Sequence, residues 1–516
     1  MLHPRIVGVV SDEALIQTTP ALDQSAQPTS PGGTRTETDS LGSMEIPADA
    51  YWGIHTARAL ENFPISRRPI SVYPHFVHAF GAVKQAAARA NVELGVLAPD
   101  KGALIEAACE EVKRGLLDEH FIVGVVQGGA GTSTNMNANE VIANRALELA
   151  GRRKGDYAHL HPIDDVNRSQ STNDVYPTAL KIALCMGLDQ LLQELDELRI
   201  AFAHKGKEFA HILKVGRTQL QDAVPMTLGQ EFRGFAVTLG EDHARLRETI
   251  PLLFEHNLGA TAIGTGITAD SRYAEAVNRH LRIVTGYDTE TAADLVEATS
   301  DAGVFMSLSG ALKRSAIKLS KICNDLRLLS SGPQAGFGEI NLPPRQAGSS
   351  IMPGKVNPVI PEVVNQVAFS VAGADVTVTM AAEAGQLQLN AFEPIIAHSL
   401  LQSLAWVGGA CRTLRVNCIE GITANEGRLA QMVGSSVGVI TALTPYIGYA
   451  AAATLAKQAL AGQRDVADLV VESGLLTREE VTNLLALERI SGQPTETAPI
   501  PVLPPVQPMM PPPATR

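Results

Sequence analysis

Two stretches of this chain place apolar residues alternately four and three positions apart. Within 175–210 the series is Leu184, Leu188, Leu191, Leu195, Leu198 and Phe202, with Glu194, Asp196, Glu197 and Arg199 on other faces. A second series runs Val304, Leu308, Leu312, Ser315, Leu319, Ile322, Leu326, Leu329. Such spacing makes a stripe on a helix and fits no strand. At 1.5 Å per residue the first helix spans roughly 50 Å. Further long helical patterns cover 227–256, 358–386 and 391–419, where alanine, glycine and valine allow close helix approach. Helices this long, apolar on more than one face, call for a bundle shared between subunits. The palette agrees: hydrophobic residues reach 45% but aromatics only 4%, which suits packed helices better than a β-sandwich. The expected fold class is all-α.

The rest of the chain is arranged around that bundle. Residues 1–34 are rich in Thr, Ser, Pro, Gln and Gly and read as a disordered leader, and 35–174 as an N-terminal domain. The central helical bundle domain takes 175–422 and a small helical C-terminal domain 423–491. In the latter, Thr477-Arg478-Glu479-Glu480 has the form of a capping box. From Gly492 to 516 a proline-rich stretch reads as a disordered tail or a ligand for a proline-binding module.

Charge and cysteine usage narrow the function. The formal net charge of -12, without basic clusters, argues against nucleic acid and anionic membranes as partners. An anionic substrate would have to be attracted locally, against that field. No uncharged apolar run of eighteen residues marks a membrane span, and the apolar part of the first ten residues is short for a signal peptide. Cys109, Cys185, Cys323, Cys411 and Cys418 form no CxxC pair and fit buried thiols in a reducing cytoplasm.

Four polar clusters interrupt the helical patterns. The most distinctive is Gly348-Ser349-Ser350-Ile351-Met352-Pro353-Gly354-Lys355-Val356-Asn357-Pro358. Its glycines and prolines exclude helix and favour a shaped loop. Ser349 is a candidate proton-abstracting oxygen, and Lys355 with Asn357 a candidate carboxylate clamp; taken alone, the stretch fits an ordinary polar turn equally well. Five residues separate Gly348 from Gly354 and Val356 follows the lysine, so it is not a phosphate-binding P-loop. The second cluster, 128–140, is a glycine-rich turn feeding a helix start at Thr132, a ready anion site. The third, 165–174, holds Ser171, Thr172 and Asn173; the fourth, 216–225, holds Thr218 and Gln219 and punctuates the end of the first striped helix. No histidine or cysteine spacing suggests a metal. Hydroxyls and amides around one lysine suit a small dicarboxylate or amino acid whose developing charge is stabilised by hydrogen bonds.

The loop 348–357 resembles the signature of the aspartase/fumarase superfamily, and the other three clusters resemble its remaining active-site segments in the same order. The resemblance covers about 39–487. Within the superfamily, the segments 47–56, 356–367 and 380–390 are most similar to the aspartate ammonia-lyases. The resemblance implies a homotetramer with a core of about twenty helices, five per subunit, and active sites drawing on three chains. It also implies deamination of L-aspartate to fumarate without an organic cofactor, a divalent cation being at most an activator. Ser349 would be the base. Ser350, Thr132, Ser171 and Thr172 would bind the β-carboxylate, Thr218, Lys355 and Asn357 the α-carboxylate, and Asn173 the amino group.

One position separates the two enzyme readings. Fumarases carry a histidine after the position of Thr218, working with a carboxylate; here Gln219 follows, with Glu362 still present. Glutamine cannot shuttle the proton that hydrating fumarate requires, whereas ammonia leaves an amine already protonated. Gln219 therefore favours aspartate over malate. The alternatives are a class II fumarase-like hydratase, a lyase of argininosuccinate or adenylosuccinate, and a non-catalytic helical scaffold. His55, His78, His161 and His398 read as structural, and Glu383 and Glu393 as solvated or paired on helix faces.

Overall fold

A computed structural model describes residues 33–462 and 464–486. The expected tail lies outside the described residues, as does the leader except for Gly33 and Thr34. The chain opens with an antiparallel pair, β1 (Thr34–Asp39) and β2 (Gly42–Pro47), followed by α1 (Ile54–Asn62), α2 (Pro74–Glu93), α3 (Pro99–Lys113) and α4 (Thr132–Leu149). The first striped pattern is α5 (Thr172–Glu208), a single helix of 37 residues. Next come the antiparallel hairpin β3 (Leu213–Thr218) and β4 (Gln221–Thr227), then α6 (Leu228–Arg247) and α7 (Ile250–Phe254). The parallel pair β5 (Glu255–His256) and β6 (Glu290–Thr291) flanks α8 (Tyr273–Thr285), and α9 (Leu295–Ser300) follows. The second stripe is α10 (Gly303–Leu329). After β7 (Ile340–Asn341) come α11 (Val359–Glu383) and α12 (Glu393–Asn417), then β8 (Thr423–Ala424), which pairs with β7. Five shorter helices end the description: α13 (Glu426–Ser435), α14 (Ile440–Ile447), α15 (Tyr449–Gly462), α16 (Val466–Glu472) and α17 (Arg478–Leu484).

The stripes do what their spacing requires. Leu184, Leu188, Leu191, Leu195, Leu198 and Phe202 are all buried, as are Leu308, Leu312, Leu319, Ile322 and Leu326. Each buried leucine contributes about 1.5–3 kcal/mol relative to an exposed one. α5 packs against α2, α6 and α12, while α11 lies between α10 and α12. Residues from Ile440 to Leu484 form a separate apolar cluster, where Thr477 and Glu480 make the expected capping box on α17.

A second apolar face is left over. On α11, Phe369 is 65% and Met380 67% exposed, and Val363 and Val376 join them. Met306, Ile317 and Leu328 on α10 are also exposed. α11 is the one described helix whose length and mean hydropathy would let it cross a membrane, yet it carries Glu362 and Asp375 and packs along one side against α10 and α12. Exposed large apolar side chains recurring along two long helices mark an association surface.

Two expectations differ from the structure. The segment 216–225 does more than punctuate a helix end: it forms most of the β3–β4 hairpin, whose tip residues Gln219 and Leu220 have φ of 53° and 61°. Glu393 is neither solvated nor paired on a helix face. It is 4% exposed at the start of α12, and its Oε2 has no hydrogen-bond partner.

Candidate active site

The second and third polar clusters come together where α4 and α5 begin. Gly129, Ala130 and Gly131 all have positive φ, which turns the chain so that α4 starts at Thr132. At Gly131 a Cβ would lie 2.1 Å from the Tyr176 ring, so only glycine lets the turn rest on α5. Ser171 is the N-cap of α5 and forms a capping box with Asp174. Asn135 Nδ2 bridges the two helix starts, donating to Thr172 Oγ1 (3.1 Å) and Asn167 Oδ1 (3.1 Å). Asn173 Nδ2 donates to the Ala262 carbonyl at 2.7 Å. Thr132, Ser171, Thr172 and Asn173 thus stand at two neighbouring positive helix ends.

Beneath them lies a buried polar floor that spacing did not disclose. Lys84 Nζ, on α2, donates to Asn167 Oδ1 (2.8 Å) and Gln170 Oε1 (2.9 Å). Burial holds its amine down at about 7, although Asp174 pulls the other way. Asp174 accepts from the backbone N–H groups of Ser171 (2.9 Å), Gly259 (3.2 Å) and Thr261 (2.9 Å), yet burial outweighs these donors and lifts its carboxyl to about 7.

The first cluster is a loop held by its own backbone. Gly348 N–H donates to the Lys355 carbonyl at 3.0 Å, and Asn357 Nδ2 donates to the Gly348 carbonyl at 2.7 Å. A Cβ on Gly348 would lie 2.2 Å from the Lys355 oxygen, so this closure requires glycine. Ser349 Oγ accepts from the N–H groups of Ile351 (3.2 Å) and Met352 (3.0 Å). Two backbone donors on one oxygen lower the cost of an alkoxide there. Ser350 and Lys355 are exposed and Ile351 is 83% exposed. Lys355, Asn357 and Glu362 line an open cavity of about 580 Å³ shared with 330–333 and 340–343.

Thr218 and Gln219 stand elsewhere, exposed at the hairpin tip. Among the described residues, no hydrogen bond or ion pair joins this tip, the Ser349 loop and the α4/α5 floor. Within one chain the candidate residues therefore form three separate groups. Among the described residues, no group of three or more His, Cys, Asp and Glu is placed to hold a metal ion.

The sequence matches known proteins almost end to end. Residues 42–373 match the family described as Lyase, and 439–492 that described as Fumarase C C-terminus. An aspartate ammonia-lyase of Pseudomonas fluorescens is 59% identical over 457 residues, covering 88% of this chain and 96% of that protein. One from Escherichia coli K12 is 52% identical, with the same coverage of both. The chain belongs to the aspartate ammonia-lyase family. Solved structures agree with that membership of the aspartase/fumarase superfamily. A fumarate lyase:delta crystallin from Brucella melitensis, bound to cobalt, superposes with a TM-score of 0.86 at 55% identity, covering 89% of this chain and 99% of that one. A class II fumarase from Schistosoma mansoni has a TM-score of 0.82 at 33% identity, with the same coverage. The family's all-α bundle is thus the fold described above.

Proposed function

We propose that this chain is a carbon–nitrogen lyase that eliminates ammonia from L-aspartate to give fumarate, reversibly. The observation that carries this is the 52–59% identity to aspartate ammonia-lyases over nearly the whole chain, against 33% to a fumarase. Ser349 Oγ takes the Cβ proton, leaving an aci-carboxylate, and the C–N bond then breaks with ammonia as leaving group. The two N–H donors on Ser349 Oγ support this role, because they offset the poor basicity of a hydroxyl. Thr132, Ser171, Thr172 and Ser350 hold the β-carboxylate as its charge grows. Thr218, Lys355 and Asn357 hold the α-carboxylate, and Asn173 and Gln219 meet the amino group.

We further propose that the active unit is a cytoplasmic homotetramer with a core of about twenty helices, each site drawing on three chains. The exposed apolar faces of α10 and α11 and the separation of the three candidate groups support that assembly. A divalent cation, if it acts, acts as an activator and takes no part in the chemistry. The test is to mix the purified protein with L-aspartate and follow the ultraviolet absorbance of fumarate. Absorbance should rise with aspartate. No rise, with consumption of L-malate instead, would overturn the proposal.

A further inference from the structure

Glu339 is 0% exposed and carries two cations from a single strand. Its carboxylate pairs with Lys214 at 2.8 Å and with Arg217, both on β3. Lys214 has a second carboxylate, Glu231 at 2.6 Å, whereas among the described residues no other carboxylate pairs with Arg217. The Arg217 guanidinium also lies over the Phe337 ring, 4.2 Å from its centroid.

Side chains three apart on a regular strand leave opposite faces. Here both end on one carboxylate, and the β3–β4 ladder is irregular between them, the extra residue lying on the β4 side. The β3–β4 register shifts between Val215 and Arg217, so that Gly216 faces two β4 residues. A bulge adds twist and re-aims the side chains beyond it. A Cβ on Gly216 would lie 2.9 Å from the Val224 carbonyl oxygen, so the bulge presses on a position that must lack one.

The clamp sits between two of the candidate groups. Arg217 immediately precedes Thr218 and Gln219 at the tip. Glu339 immediately precedes β7, and the chain runs from β7 directly into the Ser349 loop. Glu339 is fixed in turn by its own backbone, through Leu329 O (2.9 Å) and Asn425 N (2.9 Å). We infer that Arg217 and Glu339 are positioning residues: the bulge and this ion pair set the aim of Thr218 and Gln219 relative to the stem of the Ser349 loop. The inference rests on the proposed role of Gln219 in aspartate turnover. It does not need the tip and the loop to serve the same active site.

Turnover of L-aspartate by the wild-type enzyme tests the underlying reading, and two measurements then test the clamp. R217M and, separately, E339Q should lower kcat/KM about 10- to 100-fold, the effect of a small misplacement, with subunit number kept and the assay run well below a melting temperature that falls as the buried pair is broken. Amide hydrogen exchange over 213–227 should quicken in both. In a background with both Thr218→Ala and Gln219→Ala, either substitution should cost less than about threefold, because positioning groups that are absent is worthless. A full multiplicative loss in that background, or unchanged exchange in the hairpin, overturns the inference. If the wild type acts on another dicarboxylate, the same cycle applies with that substrate. If it acts on none, unchanged exchange still refutes the clamp, and quickened exchange confined to 213–227 supports it.

Discussion

The floor at the starts of α4 and α5 is packed and hydrogen-bonded inside one chain, whereas the Ser349 loop and the β3–β4 tip hold their groups toward solvent. In the floor, hydrogen bonds of 2.8 to 3.2 Å join Lys84, Asn135, Asn167 and Gln170, Asp174 accepts from three backbone N–H groups, and Tyr176 closes over Gly131. In the loop, nearly every hydrogen bond runs from the loop to itself. The first region derives its shape from the interior, so changes there should appear in stability. The second has a shape set by local backbone closure and a purpose set by what meets it, so changes there should appear in turnover.

The largest effect should come from the loop. Ser349→Ala is expected to lower kcat about 10²- to 10⁴-fold, the usual worth of a positioned base, while substrate binding and melting temperature hold. Fumarate absorbance and calorimetry check both halves, and near-normal turnover would remove Ser349 as the base. Gly348→Ala comes next. Its Cβ cannot coexist with the Lys355 carbonyl, so kcat should fall about tenfold or more while stability changes by less than about 0.5 kcal/mol. A large drop in melting temperature would show that the loop is structural and that the contrast fails.

Gly131→Ala tests the other side. With φ at 89° and the Tyr176 ring in its way, it should cost about 1–3 kcal/mol in urea unfolding. A stable variant would mean the floor is not packed as described. The smallest effect concerns Glu393, whose buried carboxyl faces the same interior. Burial pushes it up to about 8 from an ordinary 4.5, with Lys181 opposing. Between those values the folded protein keeps a proton that the unfolded chain gives up, so this group favours folding below about pH 4.5 and loses that contribution as pH rises to about 8. Glu393→Gln should flatten the dependence of melting temperature on pH across that window. An unchanged profile would contradict the burial argument.

The long helices were legible because a stripe repeated over many turns survives any tertiary context. The Thr477–Glu480 capping box was legible because its contacts are local. The hairpin was not, since its tip adopts positive φ at Gln219 and Leu220 without the Asn-Gly or Asp-Gly that announces such turns. Lys84 and Glu339 were invisible for another reason: their partners lie 83 to 125 positions away, and spacing carries no such information. The four polar clusters could be picked out one by one, but that the second and third meet while the first and fourth stand apart is a property of the packed bundle.

That separation makes the most direct test one of complementation. Ser349→Ala and Asn173→Ala variants, each inactive alone, are unfolded together and refolded as a mixture, and fumarate formation from L-aspartate is followed. Sites completed by different chains will include some with both groups intact, so activity should return in the mixture and not in either variant refolded alone. A mixture as inactive as its components would contradict the account, because it would place Ser349 and Asn173 of each site on one chain.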